Sequence, residues 1–351
     1  MTALRWAIAA IILGVGVLAI GLEAAGFDAG VALGSLWRGA FGSWDAFTSA
    51  TLVRAVPLVL IGLGIAVAFR GGALNIGAEG QFYAGAIAAT WVGLHSGALP
   101  PAAAITLLLT SATIAGLLWI LLPVWLKLRF GVLEVISTLL LNFVAVSLVS
   151  LMVQGPLQEH ERIYPQSDAI AESARLPLLP GSRLHAGLLI ALAGGVILWF
   201  LFSRTLWGFR LRAVGLGPRA AEVSGRIDSR RVGAIALLVS GAVAGLAGGV
   251  ELSGVSYALF QNLSPGYGFT GIAVALLGGL HPIGVVVAGL LFGALQAGAG
   301  AMQREAGIPA VSVYVVEAVI IVVALLATAP RGGWTSLQGA VRKRIARRAT
   351  A

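Results

Sequence analysis

Residues 58–90 read LVLIGLGIAVAFRGGALNIGAEGQFYAGAIAAT. The run opens as an apolar segment with no charge before Arg70, breaks over residues 70–81, and returns to small apolar residues. Four glycines (Gly71, Gly72, Gly77, Gly80) and three polar side chains (Asn75, Glu79, Gln81) fall in the break. Each glycine costs about 1 kcal/mol relative to alanine inside a helix, so continuous helix is disfavoured. Irregular backbone at membrane depth is tolerated only where protein or water satisfies it. The stretch reads either as a broken helix near 71–81 lining a transport path, or as an ordinary turn between two spans with Glu79 as a first-turn helix acid.

Composition makes the flanking runs membrane spans. The chain is 58% hydrophobic and 11% charged, with a mean hydropathy of +0.96, whereas soluble domains carry roughly 25% charged residues. A spanning helix needs about 20 apolar residues. The fold class expected is all-α integral membrane with about ten transmembrane helices, near 4–24, 52–69, 79–94, 102–126, 132–153, 185–202, 233–254, 267–281, 283–300 and 311–329. The first follows Arg5 as a signal peptide would, but its length and the lack of a clear cleavage site favour an anchored span.

Charge sets the orientation. Segment 204–231 holds seven arginines against Glu222 and Asp228, and the tail 331–351 holds six basic residues and no acid. Both should be cytoplasmic. Four spans between them and six before them also place the N-terminus, Lys127 and Arg129 inside and the loop 155–183 outside. The net charge of +9 is thereby a topology signal, and no nucleic-acid partner is expected. The chain has no cysteine, which excludes disulfides, thiolate metal sites and cysteine catalysis. His95, His160, His185 and His281 lack metal-ligand spacing, so neither a metal nor a cofactor is expected. Gly241, Gly245, Gly248, Gly249, Gly289 and Gly293 fit close helix packing within one subunit, or a dimer seam.

Polar residues inside spans carry the functional signal. Glu134, Thr138 and Asn142 recur every fourth residue and share one helix stripe. That stripe faces either a pathway or other helices. Glu251 and Glu317 are further span acids. Phe82, Tyr83 and Trp91 fit stacking on a flat ligand, or core packing and interface anchoring. In segment 204–231, Pro218 can open a short helix over Arg219–Ser224, with Gly225 as its stop. A short helix set among arginines is a docking element, or else a loop that only enforces topology. No Gly-Lys-Ser/Thr occurs, because the two lysines, Lys127 and Lys343, follow Leu126 and Arg342. The chain thus has no Walker A loop, and it is not expected to be an enzyme.

At these residues the sequence resembles the ABC-transporter permeases of the branched-chain amino acid, ribose and nucleoside importer type, and is most similar to the nucleoside/simple-sugar permeases. The resemblance rests on ALNIGAEGQ at 73–81, EVISTLLLN at 134–142, and RAVG…PRAAE…G at 212–225 followed by SGA…AGLAGG at 240–249. It implies a single permease domain over 1–351, an importer for nucleosides or related sugars in a bacterial-type plasma membrane, and a coupling helix on Arg212, Pro218, Arg219, Ala220, Ala221, Glu222 and Gly225. It also implies three protein partners: a P-loop ABC ATPase subunit, a second permease with a heterodimer favoured, and an extracytoplasmic substrate-binding protein, often a lipoprotein. Leu216-Gly217 and Arg226 depart from the family pattern. The pathway expected lies near Asn75, Glu79, Gln81, Glu134, Thr138 and Asn142. The rival reading is an ion-coupled secondary transporter with Glu79, Glu251 or Glu317 as proton relay.

Overall fold

The computed structural model describes residues 2–309 apart from Arg226 and the side chain of Ser224, with side chains from residue 12 onward, and isolated positions between 311 and 322. Most of the expected tenth span, Glu317 and the tail 331–351 lie outside the described residues. Residues 1–29 with 311–351 form one unit and residues 30–310 another. In the first unit, α1 (Thr2–Ala24) is followed by a turn in which Ala29 N donates to Glu23 Oε1 at 3.1 Å.

The second unit is all helical among the described residues. Its elements are α2 (Ala29–Phe41), α3 (Val53–Arg70), α4 (Ala78–His95), α5 (Pro101–Phe130), α6 (Glu134–Val153), α7 (Gly187–Arg204), α8 (Leu206–Leu216), α9 (Pro218–Gly225), α10 (Ser229–Glu251), α11 (Tyr267–Leu277) and α12 (Pro282–Ala306). One-turn π-helical segments lead into α3 (Ala46–Leu52) and out of α10 (Leu252–Ser256). Six stretches are long and apolar enough to cross a membrane: Ala46–Arg70, Pro101–Phe130, Glu134–Val153, Gly187–Arg204, Ser229–Ser256 and Pro282–Ala306. α4 also lies where a span is expected, but its glycine, alanine and polar content keeps its apolarity lower. α11 has 11 residues, about 16 Å of helix against a hydrocarbon core of about 30 Å, so it cannot cross alone.

The sequence periods explain where each helix sits. α3 is apolar all round, as a helix enclosed by others must be, and Val56–Ala68 is buried throughout. α10 packs on α3, α4 and α5. α5, α6 and α7 leave large apolar side chains outward, among them Leu107, Leu140, Phe143 and Val196, as lipid-facing helices do. α5 begins at Pro101, where a missing N–H costs nothing. It ends at Gly131, whose φ of 70° suits glycine.

Glycine sets the closeness of the central helices. A Cβ on Gly85 would overlap the Gly245 carbonyl, one on Gly116 the Gly241 carbonyl, and one on Gly248 the Phe82 carbonyl. The backbones of α4, α5 and α10 therefore touch. Gly289 and Gly293 likewise meet Val59, Thr51 and Ala55. All of these glycines pack inside one subunit, which settles the first of the two readings of their spacing. Gly248→Ala should lower stability in detergent by about 1–3 kcal/mol, the usual cost of overpacking. Gly194→Ala, whose new Cβ would find Leu63 at an ordinary 3.7 Å, should change it by less than about 0.5 kcal/mol. Denaturation of the two purified variants compares them directly.

Candidate functional site

In the break between α3 and α4, the N–H groups of Gly71, Gly72 and Ala73 still bond back to the last turn of α3, and those of residues 74–77 have no helical partner. The stripe on α6 supplies many of the missing partners. Glu134 Oε1 accepts from Leu74 N at 3.4 Å, Thr138 Oγ1 from Ile76 N at 3.3 Å, and Asn142 Oδ1 from Gly80 N at 2.8 Å. Asn142 Nδ2 donates to the Ile76 carbonyl at 2.9 Å. Within the break, Asn75 Oδ1 accepts from Gly77 N at 2.9 Å and from Gln81 Nε2 at 3.0 Å, while Asn75 Nδ2 donates to Gln81 Oε1 at 2.8 Å and Ser240 Oγ at 2.9 Å. Lys127 Nζ closes the set with an ion pair to Glu134 at 2.6 Å.

Glu79 sits in the first turn of α4 and reaches another helix start. Its Oε2 accepts from Gly268 N at 2.6 Å, in the first turn of α11. The N-terminal ends of α4 and α11 thus meet at one buried carboxylate. Five of the six residues expected along a pathway are buried, and Glu134 is partly so. The structure joins all but Glu79 through hydrogen bonds to residues 74–81, and Glu79 lies in that same stretch. Phe82 and Tyr83 are buried too, the Tyr83 hydroxyl bonding the 261–264 backbone, so of the three aromatics only Trp91 faces open space.

Sequence reasoning missed four partners: Ser240, Lys127, Gly268 and Arg54. Arg54 is the charge nearest buried Glu251. Its signal was present, since Arg54 is a lone cation at the start of an apolar run.

Outward of the network, away from Lys127, lies a cavity of about 880 Å³ between α4, α5 and α6. Trp119 stands at its inner end beside Gly80, and Trp91 and His95 form one wall. The loop 155–186 covers its mouth. This loop is pinned by Ser167 N to Leu259 O and Ile170 N to Tyr257 O, each 2.8 Å, and by Ala171 N to Gly93 O at 3.1 Å. At the rim, exposed His160 Nδ1 bonds Asp168 Oδ2 at 2.7 Å.

At the opposite end, α8 carries Arg212 and α9 runs from Pro218 to Gly225. Arg212, Pro218, Arg219, Ala220, Glu222 and Gly225 are exposed, and Ala221 is buried. Ser229 Oγ donates to Glu222 Oε1, tying α9 to the start of α10. α8 packs against the end of α3, with Gly215 against the Arg70 carbonyl and Leu211 against Gly71. Among the described residues no cluster of side chains could hold a metal ion.

Two outcomes follow from this geometry. Asn142→Ala strands the Gly80 N–H and the Ile76 carbonyl, at roughly 1–3 kcal/mol for each buried unpaired group. The variant should lose about 2–4 kcal/mol in denaturant titration. Ser147→Ala, removing a hydroxyl bonded only to Phe143 O of its own helix, should lose less than about 0.5 kcal/mol. The second outcome concerns pH. Asp168 holds the His160 imidazole above its ordinary value, and His160 holds the Asp168 carboxyl below its own. The pair therefore steadies the loop most between about pH 4 and pH 6.5. It weakens as pH rises through the raised histidine value, or falls through the lowered aspartate value. Intrinsic-rate-corrected hydrogen exchange of amides 158–168 should rise on both sides of that window, and Asp168→Asn should flatten the profile.

Comparison with known proteins agrees with this arrangement. Residues 47–325 match the family described as branched-chain amino acid transport system / permease component. The guanosine ABC transporter permease NupP of Bacillus subtilis is 40% identical, over 89% of this chain and 90% of that protein. The glucose ABC transporter permease TsgB13 of Haloferax volcanii is 38% identical, over 77% and 73%. The nucleoside ABC transporter permease NupB of Lactococcus lactis is 37% identical, over 77% of each. A chain of apolar helices around a discontinuous, internally satisfied helix, matched at that identity over most of its length, belongs to the branched-chain amino acid transport system permease family: it is a multi-pass membrane transporter subunit whose ATP is hydrolysed by a separate chain.

Proposed function

We propose that this chain is the permease subunit of an importer for nucleosides or related simple sugars, in which α9 takes the thrust of the ATPase. The observation that carries the reading is the exposure of α9 and its approach. Val223 on α9 is 86% exposed, and Leu216 at the end of α8 just before it is 91% exposed, amid arginines, at the end of the molecule that the charge pattern assigns to the cytoplasm. Large apolar side chains presented on a short helix are suited to a partner's cleft. From α9 the contact path is short: α9 joins α8, α8 rests on Arg70 and Gly71, and those residues open the break. A push on α9 reaches residues 71–77 through backbone packing.

In this reading Asn75, Glu79, Gln81, Glu134, Thr138 and Asn142 frame the inner end of the pathway. They close it below the cavity while their hydrogen bonds hold, and they open it when α8 shifts the break away from α6. The chain spans the inner membrane as one permease domain, with both termini cytoplasmic. A second permease completes the pore. The matches to both NupP and NupQ of one Bacillus, and to NupB and NupC of one Lactococcus, favour a different chain over a second copy. A binding protein delivers substrate to the outer face.

Glu222→Arg tests the coupling. It reverses the charge on the exposed face of α9 and breaks the tie to Ser229. ATP-dependent uptake in proteoliposomes should fall at least tenfold with the ATPase still bound in stoichiometric amount. Uptake at the wild-type rate would show that α9 is not the coupling element. Wild-type uptake should stop with vanadate and persist with a protonophore.

A further inference from the structure

The cavity over α4 has a chemistry of its own. Its inner end and one wall are aromatic. The Trp91 indole is 58% exposed, and it lies 4.8 Å from the His95 ring at 32°, with His95 Nδ1 held on the Trp91 carbonyl at 2.7 Å. The two rings therefore form a tilted pair tied together by that hydrogen bond. Trp119 lies deeper, and its Nε1 is buried without an acceptor. The rim is polar: Gln158, His160 and Asp168 converge from the covering loop. The volume of about 880 Å³ falls in the range of small-molecule sites, which are mostly apolar with a few convergent polar groups.

A lipid tail would use the apolar wall and leave the polar rim idle. A bare sugar would use the rim and leave most of the aromatic wall idle. A ligand with a flat heteroaromatic ring and a hydroxylated arm uses both. The ring stacks on an indole face, as any base can. The hydroxyls donate to the Asp168 carboxylate and exchange hydrogen bonds with Gln158 and His160.

We propose that this cavity is the outer substrate site of the permease, and that it receives a nucleoside with its base stacked on the Trp91–His95 pair and its sugar toward Gln158, His160 and Asp168. The assignment rests on the importer reading above and narrows it from nucleosides or sugars to nucleosides. It makes Trp91 a binding residue, where its position near a helix end would otherwise mark it as an interface anchor.

The test uses the complete transporter, with its ATPase and binding protein, in proteoliposomes supplied with guanosine or glucose. Trp91→Ala should lower guanosine uptake about tenfold at subsaturating concentration, within the range for loss of one base–aromatic stack. Trp91→Phe, which keeps a ring, should stay within about twofold. Equal guanosine uptake by wild type and both variants would overturn the proposal and leave Trp91 an anchor. Wild-type uptake of glucose without guanosine would overturn it too, with the importer reading intact. Uptake of neither would sink the importer reading itself. If Trp91→Ala fails to assemble, photolabelling of the wild-type complex with 8-azidoguanosine decides the matter. Adducts within residues 84–95 or 156–168 support the site; adducts elsewhere, or none that excess guanosine displaces, overturn it.

Discussion

Peptide groups that leave a helix inside an apolar phase must find partners in the protein, because lipid offers none. Residues 71–77 meet this constraint, and much of the molecule is arranged around it. The α6 stripe exists to answer the break. Glu134, Thr138 and Asn142, one turn apart, meet Leu74, Ile76 and Gly80 in register. Asn75 turns back on its own segment and reaches Ser240 on α10. The side-chain amides of Asn75, Gln81 and Asn142 each donate and accept at once. Close helix approach makes such reach possible. α4 and α10 touch backbone to backbone at Gly85, Gly245 and Gly248, which brings a side chain as short as Ser240 within bonding distance of the break.

Such a joint is stiff in one arrangement and has few ways to relax. Packed interiors and closed hydrogen-bond sets switch between discrete states rather than bending by degrees. A segment held by α6 on one side and by α8 on the other is therefore tied to both elements at once. The Lys127–Glu134 ion pair belongs to the same logic. It fastens the end of α5 to the start of α6, so that the stripe is presented at a fixed height opposite the break.

The sequence announced the spans and the break and hid the partners. Apolar runs and charge parity are local signals, so α3, α5, α6, α7, α10 and α12 fall close to the expected positions. The interruption at 70–81 was legible because four glycines and three polar residues are improbable in a span. The stripe on α6 was legible as a stripe, yet its target was not. Nothing in a period of four says which of several helices lies opposite. The shortness of α11 escaped for a different reason. Residues 267–281 are apolar throughout, and apolarity does not reveal that the helix begins part-way into the protein, on the Glu79 carboxylate. α2 and α8 escaped because each mixes glycine, arginine and aromatic residues without a clear period; tertiary packing decides both.

The buried acids distinguish the two ways of driving such a protein. A proton relay needs a carboxylate free to exchange partners as it gains and loses its proton. Glu79 is fixed on the N-terminal turn of α11 by the Gly268 N–H. Glu251, the buried acid that ends α10, feels the charge of Arg54 in the first turn of α3. The Glu79 carboxylate is committed to holding the start of α11 in place. Energy then has to enter from outside the membrane helices, through a surface that a second protein can push. A separate chain hydrolyses the ATP for permeases of this family, and in the proposed reading exposed α9, one contact away from the break through α8, is the surface offered to it.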